Sequence, residues 1–268
     1  MKRLPVVLVF LIALSLAATA CETTGMNVGQ INFVSPEEEI RLGKNVAAEV
    51  EKKERVLQNP ALTAYVDEIG RRIVAQTERP GIPYTFKVID NDKDVNAFSL
   101  PGGPVYVNTA LLKYADNEAE LAAVIGHEVA HVVARHATEQ MTKAFGLELL
   151  AEIALGNNPN AAAQMGADIA GSLGMLKFSR NDELEADRLG LRYMFEAGYS
   201  PNAMTTFLEK LGNLEKEHPS RVATLFSSHP VSQQRVDALR REISMLPPGR
   251  SVGYYAERYR EIIDRELK

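Results

Sequence analysis

The feature that most constrains the fold is the stretch AAVIGHEVAHVVARH at residues 122–136, in which ionisable side chains interrupt an apolar run. Apolar residues occupy every side of the predicted helix around His127, Glu128 and His131, namely Val124, Ile125, Val129, Val132 and Val133. The segment is therefore expected to be buried, where an ionisable group needs a partner or a change of protonation state. Because His127 and His131 are four residues apart, both imidazoles project to one point. A shared metal ion is the partner that this pattern predicts.

The spacing His-Glu-x-x-His on a helix is the arrangement of zinc peptidases, with two histidine ligands and a glutamate placed to act as general base. A catalytic zinc ion needs a third protein ligand and one open position. The extended motif of metzincins requires Gly and His where this chain has Ala134 and Ala137. His136 lies on the opposite side of the helix from His127, so we interpret it as a structural or surface residue. The third ligand must come from another segment, and two satisfied core histidines remain the alternative.

The best source of that ligand is RNDELEADRLGLRYMF, residues 180–195. On a helical wheel Glu183 and Asp187 share the side occupied by the apolar residues Leu184, Leu191, Met194 and Phe195. Glu185 falls on the opposite, charged side and is interpreted as solvated. Two acids directed to the core predict a metal ligand and a residue that supports it. An internal ion pair with an arginine is the alternative.

The rest of the sequence predicts a mainly helical chain with a small β-sheet, the α+β class. The runs YTFKVID and NAFSLPGGPVYVNTALL are rich in β-forming residues and are punctuated by Gly and Pro. Asn117 begins a helix that is expected to continue to about Leu155. With no internal repeat, the chain is expected to form a single domain at residues 35–245, followed by a charged helical extension at 246–268.

The N-terminus has the layout of a secretory signal, with Lys2 and Arg3 before an apolar run and small residues before Cys21. Residues 1–20 are therefore predicted to be a signal peptide, and residues 21–34 a tether. Cys21 is the only cysteine and stands where a bacterial lipoprotein carries its lipid, so we expect an anchor to the outer membrane, facing the periplasm. Because Ala18 replaces the usual Leu, ordinary cleavage or an uncleaved anchor remain alternatives. The formal charge of -5 argues against nucleic acid as a partner.

Four motifs occur in order along residues 35–245: NAFSLPGG, NEAELAAVIGHEVAHVVARH, ELEADRLG and SSHPVSQQR. Together they resemble the zinc metallopeptidases that include the CAAX prenyl protease and the heat-shock protease HtpX. The resemblance implies a gluzincin-type metallopeptidase domain with one Zn²⁺ held by His127, His131 and Glu183. It also implies that Glu128 is the general base and Asp187 an assisting acid. His229 corresponds to a histidine that is either a transition-state hydrogen-bond donor or an occluding fourth ligand.

These observations predict a zinc endopeptidase that acts on unfolded or misassembled proteins of the cell envelope. We expect an extended substrate to pair with the edge of GGPVYVNT, although Val105, Tyr106 and Val107 could instead only cover the core. A chaperone or assembly lipoprotein with a latent or structural zinc site is one alternative. A metal-dependent hydrolase of cell-wall peptides is another.

Overall fold

The chain is described by a computed structural model that covers residues 34–172 and 177–267. The predicted signal peptide, Cys21 and the tether before Val34 lie outside the described residues. The strands are β1 (Thr85–Ile89), β2 (Ala97–Ser99) and β3 (Pro104–Asn108). The helices are α1 (Pro36–Lys53), α2 (Pro60–Val74), α3 (Thr109–Tyr114), α4 (Glu118–Val133), α5 (His136–Phe145), α6 (Leu147–Leu155), α7 (Pro159–Ser172), α8 (Arg180–Glu196), α9 (Asn202–Glu217), α10 (Ala223–Ser228), α11 (Gln233–Met245) and α12 (Ala256–Glu266). These elements confirm the predicted α+β class.

Local sequence signals explain where the first helix and the acidic helix begin. Ser35 caps α1 by accepting from the Glu38 backbone N–H at 3.2 Å, while the Glu38 carboxylate accepts from the Ser35 N–H at 2.9 Å. Ser179 and Asp182 form the same reciprocal box at the start of α8. Both caps satisfy backbone donors that a helix leaves unpaired at its N-terminus. The start of α8 fixes the rotation of the helix that carries the two predicted acids.

The sheet has the order β1-β3-β2, with β1 parallel and β2 antiparallel to β3. The predicted pairing of substrate with the strand in GGPVYVNT is therefore wrong, because β3 is central and both of its edges are occupied. Its side chains Val105, Tyr106 and Val107 are buried and belong to the core, which was the alternative interpretation of this strand. The edge next to α4 belongs to β2 instead.

The long helix predicted from Asn117 to Leu155 is broken into α4, α5 and α6. Arg135 adopts a left-handed conformation with φ of 61°, and Gly146 separates α5 from α6 with φ of 79°. Arg135 is held there by Glu39 of α1, whose Oε2 accepts from the Arg135 Nε at 2.8 Å. Tertiary contacts with a distant helix thus overrode the local helical pattern.

Two glycines allow α4 and α8 to approach backbone to backbone. A Cβ atom at Gly190 would lie 2.8 Å from the His127 backbone N, and one at Gly126 would lie 3.1 Å from the Gly190 carbonyl O. Any side chain at Gly190 would therefore push the helices apart. This close crossing brings the acidic face of α8 against the two histidines of α4.

Candidate metal centre

Four buried side chains converge where α4 and α8 cross: His127, His131, Glu183 and His229. The first two come from α4, Glu183 comes from the first turn of α8, and His229 follows the C-terminus of α10. One ligand atom from each residue lies within 4.8 Å of the others. The structure therefore brings together all three predicted ligands and one predicted catalytic residue.

Four of the six separations between these atoms are close to the edge length of a tetrahedral zinc site. His131 Nε2 lies 3.0 Å from His127 Nε2, and His229 Nδ1 lies 3.3 Å from the same nitrogen. Glu183 Oε1 lies 2.9 Å from His229 Nδ1 and 3.4 Å from His131 Nε2. Zinc bonds of about 2.0–2.1 Å in tetrahedral geometry place neighbouring ligand atoms roughly 3.3 Å apart. The donor set of imidazole nitrogens and a carboxylate also suits zinc, so the residues fit this ion.

Asp187 and Arg235 surround the acids of α8. Arg235 donates from Nε and Nη2 to the two oxygens of Asp187 at 2.7 Å each, and its Nη1 lies 2.6 Å from Glu183 Oε2. The internal ion pair posed as an alternative is thus present, together with the metal-ligand geometry. Asp187 Oδ1 also lies 3.0 Å from His127 Nδ1, but the ring N–H is not aligned with this oxygen, so the contact is electrostatic.

The electrostatic environment divides the two histidines of α4. Burial alone would lower the pKa of His127, but the carboxylates of Asp187 and Glu183 outweigh it and raise that pKa to about 9. Burial lowers the pKa of His131 well below its ordinary value, which leaves this ring neutral. Burial would raise the pKa of Glu183, but His229 and Arg235 hold it well below its usual range. The cluster therefore holds a carboxylate directed at imidazole nitrogens, an arrangement that attracts a cation.

Glu128 lies beside the four-residue cluster rather than in it. The Ser99 hydroxyl donates to Glu128 Oε2 at 2.9 Å, and Glu128 Oε1 lies 3.6 Å from His229 Nε2. Ser99 belongs to β2, so the strand that has an edge next to α4 also orients this carboxylate. The sequence contained Ser99 in the NAFSLPGG motif, but nothing in its local pattern indicated this contact.

Comparison with known proteins agrees with this geometry. Residues 60–243 match the profile of peptidase family M48. The chain belongs to this family. It is 31% identical over 250 residues to the beta-barrel assembly-enhancing protease of Escherichia coli (strain K12), which covers 88% of this chain and 50% of that protein. It is 32% identical over 188 residues to the metalloprotease LoiP of the same organism, covering 68% of this chain and 69% of LoiP.

A eukaryotic relative shows the same similarity. The mitochondrial metalloendopeptidase OMA1 of Schizosaccharomyces pombe is 34% identical over 221 residues, covering 78% of this chain and 62% of that protein. The chain spans about half the length of the beta-barrel assembly-enhancing proteases that it matches. Peptidases of family M48 are zinc enzymes, and the four-residue cluster is able to hold such an ion in this chain.

The prediction for His136 was wrong in allowing a surface position. His136 is fully buried, because the break at Arg135 rotates α5 away from the axis of α4. Its Nδ1 lies 2.9 Å from His131 Nδ1. Glu185, predicted to be solvated, has a side chain only 15% exposed, and its Oε2 lies 3.4 Å from His136 Nε2. A helical wheel that runs through Arg135 could not find these contacts.

An apolar chamber of about 60 Å³ adjoins the zinc site of this M48 member. Its walls include His127, Glu128 and His229, which places it on the side of the cluster where Glu128 lies. The remaining walls are mostly aliphatic and aromatic and come largely from α9, with Met204, Phe207, Leu208 and Leu211. The chamber can therefore accept an apolar group close to the metal.

Proposed function

We propose that this protein is a zinc-dependent endopeptidase in which His127, His131 and Glu183 hold the metal. The observation that carries the proposal is the tetrahedral spacing of the buried donor atoms, with Glu128 next to them. Three protein ligands plus one exchangeable position are typical of a catalytic zinc ion. A bound zinc ion supplies Lewis acidity, which activates water and polarises a peptide carbonyl.

Glu128 is the proposed general base. Its Oε2 accepts from Ser99, which leaves Oε1 directed to the side where His229 lies. From this position Glu128 accepts a proton from the attacking water and passes it to the leaving amine. Asp187 supports the site: it holds Arg235, which also contacts Glu183, and it lies against His127. Asp187 thereby keeps a ligand histidine and the ligand carboxylate in place.

His229 is the proposed latch of a resting state. Its Nδ1 occupies the fourth corner of the cluster, at 2.9 Å from Glu183 and 3.3 Å from His127. A catalytic zinc ion requires that corner for water, so turnover requires His229 to leave. Of the two roles that the sequence left open, this position favours the occluding ligand.

The segment before His229 also contacts the chain just before β2, the strand whose outer edge we propose for pairing with a substrate. Leu100 N–H donates to Pro104 O and Asn108 N–H donates to Asn96 O, so the backbone groups of the alternate residues, Ala97 and Ser99, point away from β3. Both residues are nevertheless only 1% and 3% exposed. Just before β2, the Val95 N–H donates to the Arg221 carbonyl at 2.7 Å. A movement of the segment that carries Arg221 and His229 would therefore free both the fourth corner of the cluster and the edge of β2.

An extended polypeptide paired with β2 is the proposed substrate form. Backbone pairing reads few side chains, so the requirement is an unfolded or locally open chain. The apolar chamber then takes an apolar side chain next to the cleaved bond. A relative bears the name beta-barrel assembly-enhancing protease, which supports unfolded or misassembled envelope proteins as substrates.

The proposed location is the periplasm, with a lipid anchor on Cys21 in the outer membrane. Residues 1–20 would be the signal peptide and 21–34 the tether, with the metallopeptidase domain at 35–245 and the helical extension at 246–268. In the part of the chain that the structure describes, we find no helix with both the length and the hydrophobicity needed to span a bilayer.

The deciding experiment compares the purified protein with Glu128→Gln on unfolded casein, with zinc content measured for both. We expect one zinc per chain in each, and casein cleavage only by the protein with Glu128. Equal cleavage by both proteins would contradict the proposal. The closed position of His229 favours one second candidate, a chaperone with an occluded zinc site, which would prevent aggregation without cleaving.

A further inference from the structure

His136 occupies an unusual position behind the zinc site. It begins α5 directly after the left-handed Arg135, and its ring is fully buried. One ring nitrogen, Nδ1, lies 2.9 Å from Nδ1 of His131, on the edge of that ring opposite the metal-facing Nε2. The other, Nε2, lies 3.4 Å from Glu185 Oε2. The three side chains thus form a line from the cluster to a carboxylate near the surface.

The positions of the protons along this line follow from its two ends. A carboxylate is an acceptor, so the nitrogen of His136 that faces Glu185 carries the hydrogen. A His131 that binds metal through Nε2 carries its hydrogen on Nδ1, so the facing Nδ1 of His136 is the acceptor. The hydrogen between the two rings therefore belongs to Nδ1 of His131, and its Nε2 presents a lone pair to the metal.

We propose that His136 is a positioning residue for the zinc site, which sets the tautomer and the ring orientation of His131 under the direction of Glu185. This inference rests on the proposed function in one respect, the identification of His131 as a zinc ligand. A histidine ligand generally donates its second N–H to an acceptor behind it, and such partners strengthen metal binding. Here that acceptor is a second imidazole, whose own tautomer is fixed by an acid.

Two neighbouring groups hold this line in place. Phe178 stacks on His131 with ring centroids 3.9 Å apart, which restricts the plane of the ligand ring. Glu39 of α1 accepts from Arg135 and from Arg79, whose Nη1 donates to the Val132 carbonyl O at 3.0 Å. This buried contact fixes the turn between α4 and α5, and therefore the approach of His136 to His131.

The first test changes the direction of the hydrogen bonds at Glu185, whose side chain is partly exposed. Glu185→Gln keeps an oxygen that accepts from His136, and we expect its zinc dissociation constant within about threefold of the unchanged protein. Glu185→Lys donates to His136 instead, which reverses both tautomers and places a hydrogen on Nε2 of His131. We expect zinc binding about 10- to 100-fold weaker, the range for loss of a residue that supports a ligand.

The measurement is competition for zinc between the metal-free protein and a chromophoric chelator, repeated in 0.5 M NaCl. High salt screens the long-range repulsion between the new lysine and zinc, so a loss that persists reports the tautomer. Equal affinities for the Gln and Lys variants at high salt would overturn the proposal.

The second test acts on His136 itself. In His136→Asn the amide oxygen takes the place of Nδ1 and accepts from His131, whereas His136→Leu fills the space without an acceptor. We expect zinc affinity near normal for Asn and 10- to 100-fold weaker for Leu. The absorption spectrum of the Co²⁺-loaded protein should change for Leu alone. His218→Asn, at an exposed histidine, is the matched control.

Equal weakening by Asn and Leu would assign His136 a packing role and overturn the inference. If His136→Leu fails to fold, the comparison of Glu185→Gln with Glu185→Lys decides the question alone. Zinc affinity is measured without turnover, so a protein that binds zinc but cleaves no casein contradicts the proposed function and leaves this inference standing. A protein that binds no zinc contradicts both.

Discussion

Replacing His229 with alanine should activate the enzyme. The imidazole is held at the cluster by its contact with the buried Glu183 carboxylate at 2.9 Å. A polar contact with a charged partner, whether the carboxylate or a bound ion, contributes about 1.5–3 kcal/mol. Removing that contribution favours the open arrangement by the same amount, and each 1.4 kcal/mol or so is a factor of about ten in population. Since apparent activity scales with the fraction of competent molecules, we expect kcat/KM to rise roughly 10- to 100-fold.

The assay is cleavage of an internally quenched peptide and of unfolded casein, with zinc content measured in each preparation. His127, His131 and Glu183 remain in the variant, so the metal content should stay at one per chain. His218→Ala provides the control, since it removes an exposed histidine.

If His229 were a transition-state hydrogen-bond donor, its replacement with alanine would lower activity instead of raising it. Loss of such a donor lowers kcat by about 100- to 1,000-fold. A fall in activity with zinc retained would refute the latch. Unchanged activity would also refute it, because the backbone hydrogen bonds of the segment, such as Phe178 N–H to Ser228 O at 3.3 Å, would then be sufficient for closure.

Three further predictions test the site and its support. Glu128→Gln should keep zinc and lower casein turnover about 100- to 10,000-fold; retained turnover would exclude Glu128 as the base. Zinc affinity, measured calorimetrically, should rise from pH 6.5 to about 9, because His127 must lose its proton to bind the metal; a flat profile would contradict this. The raised pKa stabilises the metal-free fold fully below about pH 6.5, and this stabilisation is lost as the pH rises through about 9. Gly190→Ala should destabilise the protein by about 1–3 kcal/mol in urea unfolding and weaken zinc binding, whereas Gly212→Ala, next to an ordinary 3.6 Å contact, should do neither.

The prediction that the two histidines and the two acids would meet needed only geometry inside single helices, and the resemblance then singled out Glu183 as the ligand. His127 and His131 share one face of α4 whatever surrounds that helix, and Glu183 and Asp187 share one face of α8. Burial of charge then required the two faces to meet. The helix starts at Ser35 and Ser179 are equally local, because their capping contacts lie within three residues.

The sequence-based predictions that were wrong concern places where contacts between residues far apart in the sequence decided the structure. A left-handed residue such as Arg135 is unfavourable in isolation, and no periodicity indicates it. It is maintained by Glu39, 96 residues earlier in the chain, and its consequence is the burial of His136. The central position of β3 was equally invisible, because strand order depends on which edges meet after the chain has folded.

The sequence by itself determined the chemistry of the site, since the spacing of ligands along a helix and the need to pair buried charge are local properties. Only the tertiary structure decided how the site is supported and closed. The placement of His136 behind His131 and of His229 at the fourth corner depends on backbone turns that distant residues hold. Such turns are set by the sum of many contacts between segments, which no single stretch of sequence contains.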